Sequence, residues 1–111
     1  MKRTATLCCI VLMAAVIGCA ARQPLYTVEA DQLKIRIELP DTGAVMFASS
    51  LDGYQLRHAR RVSEHAWEIE QPADRTFAYF FMVDGRPYVP ACRWTEADDF
   101  GARNCLFVPG L

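Results

Sequence analysis

The chain has no excess of either charge. Lys and Arg number 12 and Asp and Glu 13 in 111 residues, for a net charge of −1. That balance excludes a basic arm for nucleic acid and an acidic tail. No apolar run reaches the ~20 residues that a membrane-spanning helix needs. There is no G-x-S-x-G nucleophile motif. Beyond Cys19 no ten-residue stretch shows helical periodicity. The length excludes two domains. With 52% apolar and 23% charged residues, the chain is not a disordered one either. Its one excess is cysteine: five, an odd number in so short a chain.

The first residues account for part of that excess. Lys2 and Arg3 precede an unbroken apolar run from Leu7 to Ile17, closed by Gly18 and Cys19. A positive start, a short apolar core and a small-residue end make a secretory signal peptide. The segment Val16-Ile17-Gly18-Cys19 resembles the lipobox of bacterial lipoproteins. The resemblance implies cleavage before Cys19, a diacylglycerol on its thiol and an acylated amino group, hence a membrane partner through lipid. Ala20 stands where an Asp often retains such proteins at the inner membrane. That points to the outer membrane, facing the periplasm. Residues 1–18 are therefore expected to be a signal peptide, 19–30 a lipidated tether and 31–111 the folded domain.

Removing residues 1–18 takes Lys2 and Arg3 and no acidic residue, leaving 93 residues of net charge −3. Cys8 and Cys9 leave with the signal, and Cys19 carries lipid. Cys92 and Cys105 remain in an oxidising compartment and are expected to form a disulfide. A metal on these thiols lacks partners, because His58 and His65 are distant and sit among charged residues. No cofactor is implied. Glu96, Asp98 and Asp99 offer too few oxygens in a recognised spacing for calcium.

The rest reads as strands. Leu33, Ile35, Ile37 and Leu39 alternate with Lys34, Arg36 and Glu38, the period of two of a half-buried strand. Pro40 to Gly43 is turn chemistry. Val45 and Phe47 open a second strand, and Val62, Trp67 and Ile69 mark a hairpin turning near Ser63-Glu64. Phe77 to Val83 is apolar on both faces, as a central strand is. Asp84-Gly85 is the preferred pair for a two-residue hairpin. A short strand, Cys105 to Val108, closes the chain. Residues 20–30 carry no periodicity. Six or seven strands with frequent turns imply an all-β sandwich. Arg57, His58, Arg60 and Arg61 form a basic run whose charges should split between faces. Trp94, inside the disulfide loop, is expected to plug the core beneath it in preference to standing exposed.

The turns carry a second resemblance. Val45 to Tyr54 (Val-Met-Phe-Ala-Ser-Ser-Leu-Asp-Gly-Tyr) resembles the V-x-L-x-G-S-F-N-G-W segment of family-48 carbohydrate-binding modules. These are immunoglobulin-like early-set domains that include the glycogen-binding domain of AMP-activated kinase β subunits. Trp67-Glu68-Ile69 is similar to that family's next strand, Tyr79 to Gly85 to its Y-K-F-x-V-D-G signature, and Asp99 to Asn104 to its closing D-x-F-G-x-x-N. The resemblance covers about residues 31–110 and implies an early-set sandwich of about seven strands. It also implies a glucan site. Tyr54 takes the place of one stacking tryptophan, Asn104 matches the asparagine that bonds hydroxyls, and Phe100 matches an apolar residue against the glucan. Phe80 replaces the lysine, and Pro87 aligns with the second tryptophan, beside Tyr88.

No enzyme is expected, since a glycosidase needs two carboxylates flanking a cleft. With the lysine and one platform replaced, the first functional expectation is a lipid-anchored protein-interaction or assembly module whose partner is an envelope protein. The alternative is a carbohydrate-binding module for an α-glucan or an envelope polysaccharide, using Tyr54, Tyr88, Phe100 and Asn104.

Overall fold

The computed structural model describes residues 23–111. The signal segment and Cys19 lie outside the described residues. Ten strands follow in order: β1 Leu25–Glu29, β2 Gln32–Glu38, β3 Val45–Ser49, β4 Arg57–His58, β5 Arg60–Ser63, β6 Ala66–Pro72, β7 Phe77–Val83, β8 Arg86–Tyr88, β9 Thr95–Ala97 and β10 Arg103–Phe107. They form two antiparallel sheets packed as an all-β sandwich. One sheet runs β1-β2-β6-β5. The other runs β4-β3-β7-β10-β9, with β8 paired to β7 beside β10. One disulfide, Cys92–Cys105, staples it.

The alternation expected of β2 sets the first sheet. Leu33, Ile35 and Ile37 are buried, while Lys34 and Arg36 are partly exposed on the other face. A shift by one residue would turn all three apolar side chains to water, so the register is firmly specified. Against them pack Val45 and Phe47 of β3, Phe77, Tyr79 and Phe81 of β7, and Phe107 of β10. Aromatic rings dominate this layer: Phe47 lies 5.3 Å from Phe81 at 64° and 5.5 Å from Tyr79. The Tyr26 and Tyr79 hydroxyls bond across the two sheets. Burial comes first in lifting the Tyr79 phenol far above its usual range, and the same cause raises Tyr26.

β7 is central, pairing with β3 on one side and with β10 and β8 on the other. Its hairpin to β8 turns on Asp84 (φ 48°) and Gly85 (φ 80°). Two positive φ angles are what a type I′ turn requires, and they match the Asp-Gly pair. Asp84 has a second role. Its Oδ1 accepts from the Gly43 N–H at 3.1 Å and the Ala44 N–H at 2.8 Å, tying the β2–β3 loop to the hairpin. A Cβ at Gly43 would sit 3.3 Å from that oxygen.

Four features differ from the sequence reading. Leu25–Glu29, expected to be tether, is strand β1, paired to β2 along its whole length. All five of its residues are exposed, so no buried alternation marks it as a strand. Among the described residues sheet structure therefore begins at Leu25, ahead of the expected domain start at 31. Among the described residues the strands number ten, where six or seven were expected, because β1, β4 and β9 are short or exposed throughout. Trp94 is no plug: it is 42% exposed, with the Arg93 guanidinium 5.3 Å from its ring centre. Finally, the basic run divides between sheets as well as faces. The chain crosses at Ala59, so Arg57 and His58 belong to one sheet and Arg60 and Arg61 to the other.

Candidate functional site

A groove of about 440 Å³ lies on the outer face of the six-stranded sheet, lined by Tyr54, Phe80, Glu96, Ala97, Asp98, Asp99, Phe100 and Asn104. Strand pairing assembles its floor. Cys105 pairs with Tyr79 and Thr95, and both Cys105 and Tyr79 are buried in the core, so the adjacent residues Phe80, Asn104 and Glu96 share the outward face. Three strands distant in sequence thus deliver an aromatic ring, an amide and a carboxylate in one row.

Tyr54 reaches that row from a built loop. Where β3 leaves the sheet, the Ser50 hydroxyl accepts from the Ala78 N–H at 3.0 Å, replacing the ladder partner that a longer strand would supply. Ser50–Asp52 make one 3₁₀ turn, capped by Ser49, whose Oγ accepts from the Leu51 N–H. Gly53 (φ 72°) and Tyr54 (φ 63°) both take the left-handed region, and the Tyr54 N–H donates to the Ser49 carbonyl at 2.8 Å. A tyrosine there is strained by roughly 1 kcal/mol or more. The strain directs its ring over Phe80, with centroids 6.0 Å apart and planes at 26°. Asp52 holds the loop's exit: its Oδ2 accepts from Arg57 Nε at 2.7 Å and its Oδ1 from the Gln55 N–H at 3.2 Å. The Arg57 bond is the main reason that the Asp52 carboxyl titrates below its ordinary range.

The opposite wall is the β9–β10 loop. Asp98 Oδ1 accepts from the Phe100 and Ala102 N–H groups, each at 2.9 Å, and the Asp98 N–H donates to the Ala102 carbonyl. This closed turn lifts Phe100 to 96% exposure. A large apolar side chain is thus held in water at the rim of the groove. Tyr54 is 40% exposed. Burial foremost, then the Glu96 and Asp98 carboxylates, hold its phenol above the usual range. Among the described residues no hydrogen bond engages the Asn104 side-chain amide, so its donors and acceptor are open to the groove.

Of the four residues expected to bind sugar, the structure brings together Tyr54, Phe100 and Asn104 and leaves out Tyr88. β8 pairs Tyr88 with Phe81, a core-facing residue, so Tyr88 turns inward and packs on the core. The second platform in the groove is Phe80 instead. Seen as a lost lysine, Phe80 is a departure; seen in place, it extends the aromatic wall. Glu96, Asp98 and Asp99 also line the site; the sequence weighed these three as calcium ligands and not as part of the sugar site. Among the described residues no group of three or more His, Cys, Asp or Glu is placed to hold a metal ion. Among them, too, no helix is long and apolar enough to cross a membrane.

The chain matches no known family's sequence profile and no curated protein. Five residues of the short motifs quoted above, Tyr54, Phe80, Asp99, Phe100 and Asn104, line this groove.

Proposed function

We propose that the sandwich is a non-catalytic carbohydrate-binding module for a glucan or an envelope polysaccharide. The observation that carries this reading is the meeting of Tyr54, Phe80, Phe100 and Asn104 around one open groove. Sugar rings present C–H faces that pack on aromatic rings, and hydroxyls that pair with an amide's donors and acceptor. The Tyr54–Phe80 pair supplies the first and Asn104 the second. Phe100, on its turn, packs over a chain lying in the groove. The lipobox resemblance supports presentation at the bacterial envelope through lipid on Cys19, on the outer membrane facing the periplasm.

Calorimetric titration of the full chain in detergent with malto-oligosaccharides and envelope glycans tests the reading. Binding is expected to be weak, and Tyr54→Ala is expected to weaken it about threefold to tenfold, the value of one aromatic stack. Equal binding by wild type and Tyr54→Ala removes the site from this groove.

A second reading, the protein-interaction module, draws on β1. This edge strand leaves Leu25 61% and Val28 58% exposed and offers a free backbone edge for a partner strand. Crosslinking from residue 28 in cells separates the two: one specific envelope protein favours the partner, and only lipid and abundant porins speaks against it.

A further inference from the structure

The groove has a sign. Its lining includes three carboxylates, Glu96, Asp98 and Asp99, and no Lys, Arg or His. The arginines nearest in the chain are turned away or engaged. Arg103 lies one residue from Asn104 on β10, hence on the opposite face, and donates to the Thr95 hydroxyl at 3.0 Å. Arg93 sits against the Trp94 ring, and Arg57 bonds Asp52. Asp98 is occupied in ordering its own turn. Glu96 and Asp99 have no such duty. Three of the five uncharged lining residues are aromatic, and the faces of Tyr54, Phe80 and Phe100 attract cations in their own right.

We propose that this groove selects a sugar chain bearing free, protonated amino groups over neutral chains and against acidic ones. The proposal rests on the glycan reading above and adds the charge class of the ligand. An ammonium group lies among carboxylates and ring faces, while the sugar's C–H face packs on the Tyr54–Phe80 pair. A uronic or sulfated sugar meets only like charge there, a juxtaposition that suppresses binding. Exposed ion pairs are individually weak, so each carboxylate contributes roughly a 1.5-fold to fivefold preference, and two together about fivefold.

The test compares four oligosaccharides of equal length on the full chain, below the amine's pKa: a β-1,4-linked glucosamine oligomer, its fully N-acetylated counterpart, a malto-oligosaccharide and an oligogalacturonide. The glucosamine oligomer is expected to bind about fivefold more tightly than its acetylated counterpart, with no measurable binding of the galacturonide. The ratio should fall towards one in Glu96→Gln/Asp99→Asn and in ~1 M salt, where the screening length is about 3 Å. Asp98 is left intact because it orders the loop. Equal affinities for the amine and acetyl forms overturn the inference while the glycan reading stands. A preference that survives both the double variant and high salt overturns it as well. Failure of all four sugars to bind overturns both readings together.

Discussion

Removing the disulfide should cost a large share of this domain's stability and should loosen the groove first. Cys92 and Cys105 are 13 positions apart. Closing a loop of that length in the unfolded chain is worth about 3 kcal/mol in the loop-entropy model. Cys105 is fully buried, paired between Thr95 and Tyr79, so Cys92→Ala/Cys105→Ala adds a packing loss of about 1 kcal/mol. A domain of this size has only roughly 5–10 kcal/mol to lose. The melting temperature should therefore fall by roughly 12–24 °C on reduction alone and by roughly 16–32 °C in the double alanine variant. Urea unfolding of oxidised wild type, reduced wild type and the double alanine variant separates the two parts. Reduction alone gives the entropic part, and the variant gives the sum. The loss should also be uneven. β9 has three exposed residues, and Leu106 donates to the Trp94 carbonyl at 2.8 Å just beyond it. Without the staple the Leu106 amide should exchange with solvent well before those of β2 and β6. A total loss below about 1 kcal/mol, or equal acceleration of exchange across both sheets, would refute the reasoning.

Two further predictions follow from the buried phenols and the hairpin. Tyr79 and Tyr26 are both held above the phenol value of 10.0, chiefly by burial, so their stabilising effect is complete below about pH 10 and is lost as pH rises through the folded-state values. Unfolding should thus set in on the alkaline side above about pH 10, with cooperative tyrosine ionisation in the ultraviolet; gradual ionisation at pH 10 in a folded protein would contradict it. Asp84→Ala removes the acceptor for Gly43 and Ala44 and places alanine at a φ of 48°, for a loss of about 1–2 kcal/mol. Asp84→Asn keeps an acceptor oxygen and a residue tolerant of that backbone, so its loss should be less than half as large by urea denaturation.

The parts legible in the sequence are those where burial writes a pattern. β2 alternates because one of its faces is core, and β7 is apolar throughout because its inward face is core and its outward face carries Phe80 of the groove. The Asp84-Gly85 turn was equally plain, since a type I′ hairpin restricts its two residues so tightly. β1 and β9 left no such trace, because none of their residues is buried and their pairing is by backbone, although Tyr26 of β1 reaches in to Tyr79. The groove suffered for this. Without β9 there is no way to see that Glu96 and Asn104 stand side by side, or that the acidic residues of the disulfide loop border Tyr54. Tyr88 failed for a related reason. Adjacent positions on a strand point to opposite faces, so taking Tyr88 in place of Pro87 moves the ring from the outer face to the core. Phe80 shows the converse: an unsuitable residue by motif proves apt once its outward neighbour, Tyr54, is known.

The groove's role as a glycan site is tested most directly by amide chemical shifts of the full chain, in micelles, titrated with a glucosamine oligomer and a malto-oligosaccharide. Binding in the groove predicts shifts concentrated at Tyr54, Phe80 and residues 96–104, with the Trp94 indole also responding and β1 and β5 silent. No shift at Tyr54, Phe80 and Asn104 at ~10 mM sugar, or shifts confined to the β1 edge, would contradict it.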